Sequence, residues 1–543
     1  MDTALSAAGA PAQPESFPAL RRILEAVEDR ATAALDRYQY LVLLLFSCGY
    51  FLTTCYCASR KLFWFDELFT VYLSRLPSLS SLWSALTQGA DLNPPLLYVF
   101  TRASQSLFGE GHLAARLPEI VAFWVFCLCL FRFVSLRTSA LGGIISMLFP
   151  LVTTAYYYAY EARPHGIVLG FCGLALVCWQ AAADRPEHRL GWLLGLGGSL
   201  ACALLTHSYA FVLFIPLGFG ELARNVRSRR FDWAVWLTLA ASSSAVLASV
   251  SLLYQVKAHV PPGFFPASLG ALAKSYLFQL PALAVLSGTI ALFCAAQIIG
   301  TPRRESKSTA TLQWHETVVL LGFVAVPAFV FLAARMARTP MITRYSISSV
   351  AGFACLFGIA AARKRAIGIG VLIILLAYIG ASFALFVQGS FITEPSSSSL
   401  VGTRAPAFVK AYEMMGKAAD KNLPIVLLDE LDFLPLSYYA PANLASRFVY
   451  VPSPGELIGE GYIKLHNCCK TACSVSRRPE FLAAHPTFMA YGPATKLADF
   501  IRLGGDIRIQ EIYGGLLLAY VTFGPKSQKP AAFPPQPRGA ARN

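Results

Sequence analysis

Apolar stretches long enough to cross a bilayer recur along the chain as far as residue 388, and this confines it to a polytopic α-helical membrane fold. Eleven spans are predicted, at 38–58, 114–135, 139–157, 164–183, 190–206, 208–223, 233–254, 276–299, 315–334, 346–362 and 366–388. With 56% hydrophobic and 14% charged residues, the chain lies outside the range of soluble domains. Its formal charge of +15 sits in short clusters between apolar blocks, where cytoplasmic loops carry Lys and Arg. Membrane lipids are therefore expected partners and nucleic acid is not.

Orientation follows from those clusters. With the N-terminus inside, the even-numbered spans end beside Arg132 and Arg137, then Arg185 and Arg189, then Arg224, Arg227, Arg229 and Arg230. Arg303, Arg304 and Lys307 follow, and finally Arg363, Lys364 and Arg365. All fall on one side, as the positive-inside rule requires, and an odd number of spans places everything after about residue 389 on the other. The expected location is a bacterial inner membrane, N-terminus cytoplasmic and C-terminal domain periplasmic. The stretch from Pro94 to Gly111 is apolar but interrupted by Arg102, Gln105 and Ser106. It is predicted to lie along the outer surface, because a span there would move four basic clusters outside.

Four regions result. Residues 1–37 are polar and mixed in charge, which predicts a cytoplasmic segment rather than a cleaved signal peptide. Leu20, Ile23, Leu24 and Val27 recur there at helical spacing, predicting an amphipathic helix on the membrane face. Residues 38–389 form the transmembrane domain, including a first outer loop at 59–113. Residues 395–524 alternate strand-like runs (Ile425–Leu428, Phe448–Val451, Thr487–Tyr491, Leu516–Phe523) with helix-like stretches such as Ala407–Asp420, predicting a periplasmic α/β domain. Residues 525–543 read as a disordered tail. Ten of 13 cysteines lie in apolar segments; Cys468, Cys469 and Cys473 share a polar stretch with His466, as a disulfide or as free thiols, and their spacing matches no standard zinc pattern.

Candidate chemistry gathers on the outer side. Asp66 and Glu67 are adjacent carboxylates flanked by aromatics at the mouth of a span, either wet interfacial acids or a general base for an acceptor hydroxyl. Asp91-Leu92-Asn93-Pro94-Pro95 holds the chain extended before a helix start, which needs no ligand. In Tyr160-Glu161-Ala162-Arg163-Pro164-His165 an acid, a base and an imidazole meet. They form either an internal Glu161–Arg163 ion pair, or a site where Glu161 serves a metal or sugar hydroxyls and Arg163 a phosphate. Arg335, Arg338 and Arg344-Tyr345 place three arginines where positive charge is disfavoured, for lipid headgroups or a specific anion. His207 occupies an outer hairpin, where a structural histidine is the plainer reading.

Phe65-Asp66-Glu67-Leu68-Phe69-Thr70-Val71-Tyr72, followed by Asp91-Leu92-Asn93-Pro94-Pro95-Leu96-Leu97-Tyr98, resembles the DE…HPPLYY pattern of GT-C glycosyltransferases. The resemblance is to glycosyltransferase family 39, whose members are similar to protein O-mannosyltransferases and the aminoarabinose transferase of lipid A. Ala115-Arg116-Leu117-Pro118, Glu161-Ala162-Arg163-Pro164-His165 and Arg344-Tyr345 match further signatures in the same order, over roughly residues 38–388. It implies a polyprenyl-phosphate sugar donor, with Asp66 as base, Glu67 beside it and Glu161 as second-loop acid. Arg163, Arg338, Arg344 and Tyr345 are the expected phosphate-binding residues, and Asn93, Tyr98, His165 and His207 the expected substrate-binding residues. Two departures stand out: Asn93 replaces the family's usual His, and Glu161 is displaced from where some relatives carry Asp.

The expected reaction is a single inverting displacement on the periplasmic face. A phosphate leaving group needs no protonation, so one carboxylate base suffices, and arginines would hold the phosphate as its charge develops. No cofactor is required, although a divalent metal is compatible; the acceptor is a lipid, a glycan or a protein. The alternatives are a lipid-linked sugar translocator and a membrane-anchored binding protein without catalysis. The enzyme reading makes a geometric demand: Asp66 and Arg344 must face one cavity.

Overall fold

The computed structural model describes residues 18–250, 252, 254, 265–298, 312–388, 404–417, 422–453, 456–469 and 474–524. The expected tail at 525–543 and Cys473 lie outside them. Among the described residues, five helices are by length and composition suited to cross a membrane: Gln39–Arg60, His112–Ser135, Pro164–Asp184, Pro186–Thr206 and Arg365–Val387. Two helix pairs qualify only as bent spans, Ala140–Val152 with Thr154–Tyr160 at 79° and Trp314–Val324 with Val326–Ala337 at 52°. Pro327 stands in the first turn after the second break, and Pro150 lies at the start of the 3-10 segment Phe149–Val152 that precedes the first; a residue without an N–H cannot continue the helical ladder. Shorter apolar helices cover Trp233–Ser249, Leu283–Ala295 and Ser349–Ala362.

Small residues let the central helices touch. A Cβ on Gly170 would lie 2.7 Å from the Ala122 carbonyl oxygen, so helices His112–Ser135 and Pro164–Asp184 meet backbone to backbone. At the Arg-rich end, several loop cations are ion-paired. Arg137 reaches Asp184 at 2.6 Å and the buried Glu316 at 2.8 Å. Helix Pro18–Arg37 is fixed there too: Asp36 Oδ1 accepts from the Ala140 amide at 3.0 Å, and Asp29 pairs with Arg365.

At the other end, the predicted first outer loop folds into helices Phe65–Ser74, Leu79–Thr87 and Leu96–Phe108. The last has 13 residues, about 20 Å of helix, which is too short for a hydrocarbon core of about 30 Å. It buries Leu97, Tyr98 and Thr101 and exposes Leu107 and Phe108, as a helix lying at an interface would.

The C-terminal region carries a six-stranded sheet of β1 (Ile425–Leu427), β2 (Phe448–Tyr450), β3 (Ser474–Val475), β4 (Thr487–Pro493), β5 (Asp506–Tyr513) and β6 (Leu516–Thr522), in the order β3-β2-β1-β4-β6-β5. The first four are parallel where paired and the last two antiparallel. Alternation along β1 supplies two cores. Val426 packs with Phe488, Phe481 and Phe500. Ile425 and Leu427 join Phe448, Tyr450 and Met489 in a core shared with Leu68, Phe69 and Leu73 of the first outer loop. Phe69 stacks on Tyr462 at 5.6 Å. The sheet and the loop carrying Asp66 therefore form one packed unit. Beside it, Cys468 and Cys469 are free thiols with sulfurs 3.3 Å apart.

Candidate active site

Asp66 and Glu67 lie in the first turn of helix Phe65–Ser74, where the helix dipole favours carboxylates. Successive residues on a helix diverge by about 100°, so the neighbours face different surroundings. Glu67 is fully buried. It accepts from the Trp64 amide at 3.0 Å, closing the helix N-terminus, and from the Ala162 amide at 2.8 Å, fastening the second outer loop. Arg116 grips both its oxygens, Nε at 2.7 Å and a terminal nitrogen at 2.8 Å. The remaining guanidinium donors reach the carbonyls of Ala58, Lys61 and Leu62, so all five N–H groups are used. Burial would raise the Glu67 pKa, but the charges of Arg116 and Lys61 outweigh it and hold it down to about 2.

Asp66 faces the other way. Its Oδ2 lies 3.3 Å from Arg344 and 3.9 Å from Arg163 Nε. Arg163 also donates to the Asp66 carbonyl at 3.0 Å and to Asp91 Oδ2 at 3.2 Å. Asp91 is in turn braced by the Leu92 amide at 2.6 Å and by Asn93 Nδ2 at 3.2 Å. Asn93, standing where an imidazole was expected, thus orients Asp91. Tyr98 is buried beside this group, and burial, then the Asp91 charge, holds its phenol well above the ordinary range.

The Glu161–Arg163 pair, one of the two readings of that motif, does not form. The Arg163 amide donates to the Glu161 carbonyl at 2.6 Å, a three-residue turn that sends the two side chains apart. Arg163 goes to Asp66 and Asp91, while Glu161 lies 3.6 Å from Lys61, which sits 3.8 Å over the Tyr157 ring. The expected trio of outer arginines also separates. Helix Val326–Ala337 ends at Arg338, which takes a left-handed conformation (φ 54°) and is exposed; its amide caps the helix on the Ala334 carbonyl, and its side chain joins no hydrogen bond or ion pair among the described residues. The turn Thr343–Ser346 then carries Arg344 alone to Asp66.

Next to Arg344 lies a narrow cleft of about 10 Å³, lined both by polar His165, His207, Tyr345 and Ser348 and by apolar Val168, Val212, Leu213 and Ile347. Tyr345 stacks on Tyr209 with centroids 4.0 Å apart, and His207 lies 5.2 Å from His165. Ser348 is buried and its hydroxyl has no partner among the described residues. Among the described residues no group of three or more His, Cys, Asp or Glu is arranged for a metal ion.

His207 Nδ1 accepts from the Tyr209 amide at 3.1 Å, which requires the neutral ring. Burial, with the Arg163 and Arg344 charges adding, pushes its pKa down from 6.5 to about 3. The unfolded ring binds a proton where the folded one does not. His207 therefore contributes stability that is complete above pH 6.5 and lost as pH falls towards 3. Unfolding midpoints taken across this window should fall less steeply in His207→Gln than in the natural chain; equal slopes would mean the ring is not buried.

Lys61, Arg116, Asp91 and Ser348 were not among the expected site residues. Arg116 had a signal, since a charge just inside a span is costly without a dedicated partner. Lys61 had the same one, less sharply. Ser348 had none.

Residues 92–254 match the family described as dolichyl-phosphate-mannose-protein mannosyltransferase. That segment holds Asn93, Arg163 and His207 but neither Asp66 nor Arg344. No curated protein matches the chain in sequence. Among solved structures it is similar to ArnT from Cupriavidus metallidurans in the apo state, at 13% identity and a TM-score of 0.54. It is also similar to that protein bound to undecaprenyl phosphate, at 15% identity and 0.53. Both matches cover 89% of this chain and 98% of that one. In fold over most of its length, and in sequence over residues 92–254, the chain resembles the GT-C membrane glycosyltransferases.

Proposed function

We propose that the chain transfers a sugar from a polyprenyl-phosphate carrier to an acceptor hydroxyl on the periplasmic face of the inner membrane. One observation carries this reading: Asp66 and Arg344, 278 residues apart, meet at 3.3 Å beside a cleft whose lining mixes polar Arg344 and Ser348 with apolar Val168, Val212 and Leu213. A phosphate with a prenyl chain calls for both kinds of contact. The bound phosphate would draw Arg344 from Asp66 and occupy the Ser348 hydroxyl. Asp66 then takes the proton of the acceptor hydroxyl, whose oxygen attacks the anomeric carbon. The bond from that carbon to the phosphate oxygen breaks, the phosphate leaves with the electron pair, and Arg344 and Arg163 stabilise its charge. Attack opposite the leaving group inverts the anomeric centre.

In this reading Glu67, Glu161 and Lys61 are positioning groups that hold the two outer loops around Asp66. The ArnT structure bound to undecaprenyl phosphate has the same fold and supports the choice of donor class. Purified protein should bind undecaprenyl phosphate, and Arg344→Ala should weaken that binding about tenfold or more, since charge-assisted contacts contribute about 1.5–3 kcal/mol. Absence of binding by the natural chain, or unchanged affinity in the variant, would remove the cleft from the donor site.

A further inference from the structure

Helix Phe214–Ser228 begins next to the Asp66 cleft and runs about 20 Å away from it to Arg227. There it lies beside helix Trp314–Val324, and the two leave an open groove of about 530 Å³. Phe219, Leu222, Val226 and Val318 line it, with Trp314 and Arg227. Among the described residues no carboxylate does. Trp314 is 57% exposed, and Phe219, Leu222 and Val226 are also exposed. Such a surface suits acyl chains rather than water.

The nearby arginines differ in their commitments. Arg224 is held by Glu221 at 2.7 Å and by Asp232, and Arg189 pairs with Asp232 as well. The Arg227 side chain joins no hydrogen bond or ion pair among the described residues. An uncommitted guanidinium beside an exposed indole, above an apolar wall, has the chemistry of a headgroup contact: the stem covers apolar surface while the charge and the indole stay at the interface.

We propose that this groove is a binding site for one anionic phospholipid of the adjacent leaflet, with an acyl chain along Phe219, Leu222 and Val318 and the phosphate against Arg227. Charge complementarity selects the anionic class. A zwitterionic lipid brings its own ammonium to a site that already has a cation and, among the described residues, no acid. The site is independent of the transfer reaction.

Native mass spectrometry of the full chain tests this with phosphatidylglycerol against phosphatidylcholine. The natural chain should retain one phosphatidylglycerol in preference to phosphatidylcholine. Arg227→Gln should weaken retention about fivefold, the equivalent of about 1 kcal/mol for one basic residue at an anionic surface. Ala223→Trp, which fills the groove without altering charge, should weaken it as well, and Arg230→Gln should not. Equal retention of the two lipids, equal losses in Arg227→Gln and Arg230→Gln, or no effect of Ala223→Trp would each overturn the proposal.

Discussion

Asp66→Asn is expected to lower sugar transfer by on the order of 10²–10⁴-fold, the usual contribution of a positioned general base, with the unfolding midpoint and undecaprenyl-phosphate binding preserved. The amide has the size of the carboxylate and can still accept a hydrogen bond from Arg344, which donates at 3.3 Å. It cannot take a proton from the acceptor. Removing a negative charge next to the proposed phosphate subsite should, if anything, favour an anionic donor, so a loss of turnover would not come from lost binding. Single-turnover transfer measured alongside donor affinity separates these effects. A variant that transfers at the natural rate would end the assignment of Asp66 as base, whatever its neighbours do.

Arg116→Leu should be the most destabilising single change near the site. It would strand the buried Glu67 carboxylate and leave the carbonyls of Ala58, Lys61 and Leu62 without their donor. Breaking a buried pair by removing one partner costs about 3–5 kcal/mol. Thermal unfolding in detergent should report that loss, and Arg116→Leu with Glu67→Leu should recover part of it, because no unpaired charge then remains. A single variant as stable as the natural chain would contradict the pairing. The same contact gives a pH signature: with Glu67 held at about 2 rather than 4.5, its contribution is complete above pH 4.5 and is lost as pH falls towards 2. That slope should be absent from the double variant.

Some of this was legible in local pattern. The extended apolar stretches predicted the membrane class, and alternation in the C-terminal region located β1, β2, β4 and β6. The edge strand β5 was not anticipated, because its exposed mixture of Arg508, Gln510 and Glu511 with Ile509 and Ile512 has no buried face to impose a period. Bent spans were also hidden: a proline near an apolar run marks a break, but its angle depends on what packs around it. In the candidate site, Asp66, Arg163 and Arg344 could be singled out from residue type and predicted topology. Their partners could not. Glu161 and Arg163 are two residues apart and part company at one tight turn, while Lys61 and Glu161 come together across a hundred positions.

By itself, then, the amino-acid order determined what depends on periodicity and charge counted along the chain: apolar helices long enough for a membrane, the basic clusters between them, and the candidate carboxylates and arginines apart from those clusters. Tertiary structure alone decided which carboxylate is available. Two acids adjacent in sequence diverge on one helix, one sealed against Arg116 and one turned to Arg344. Burial and pairing arise from groups far apart in the chain, and no local pattern encodes them.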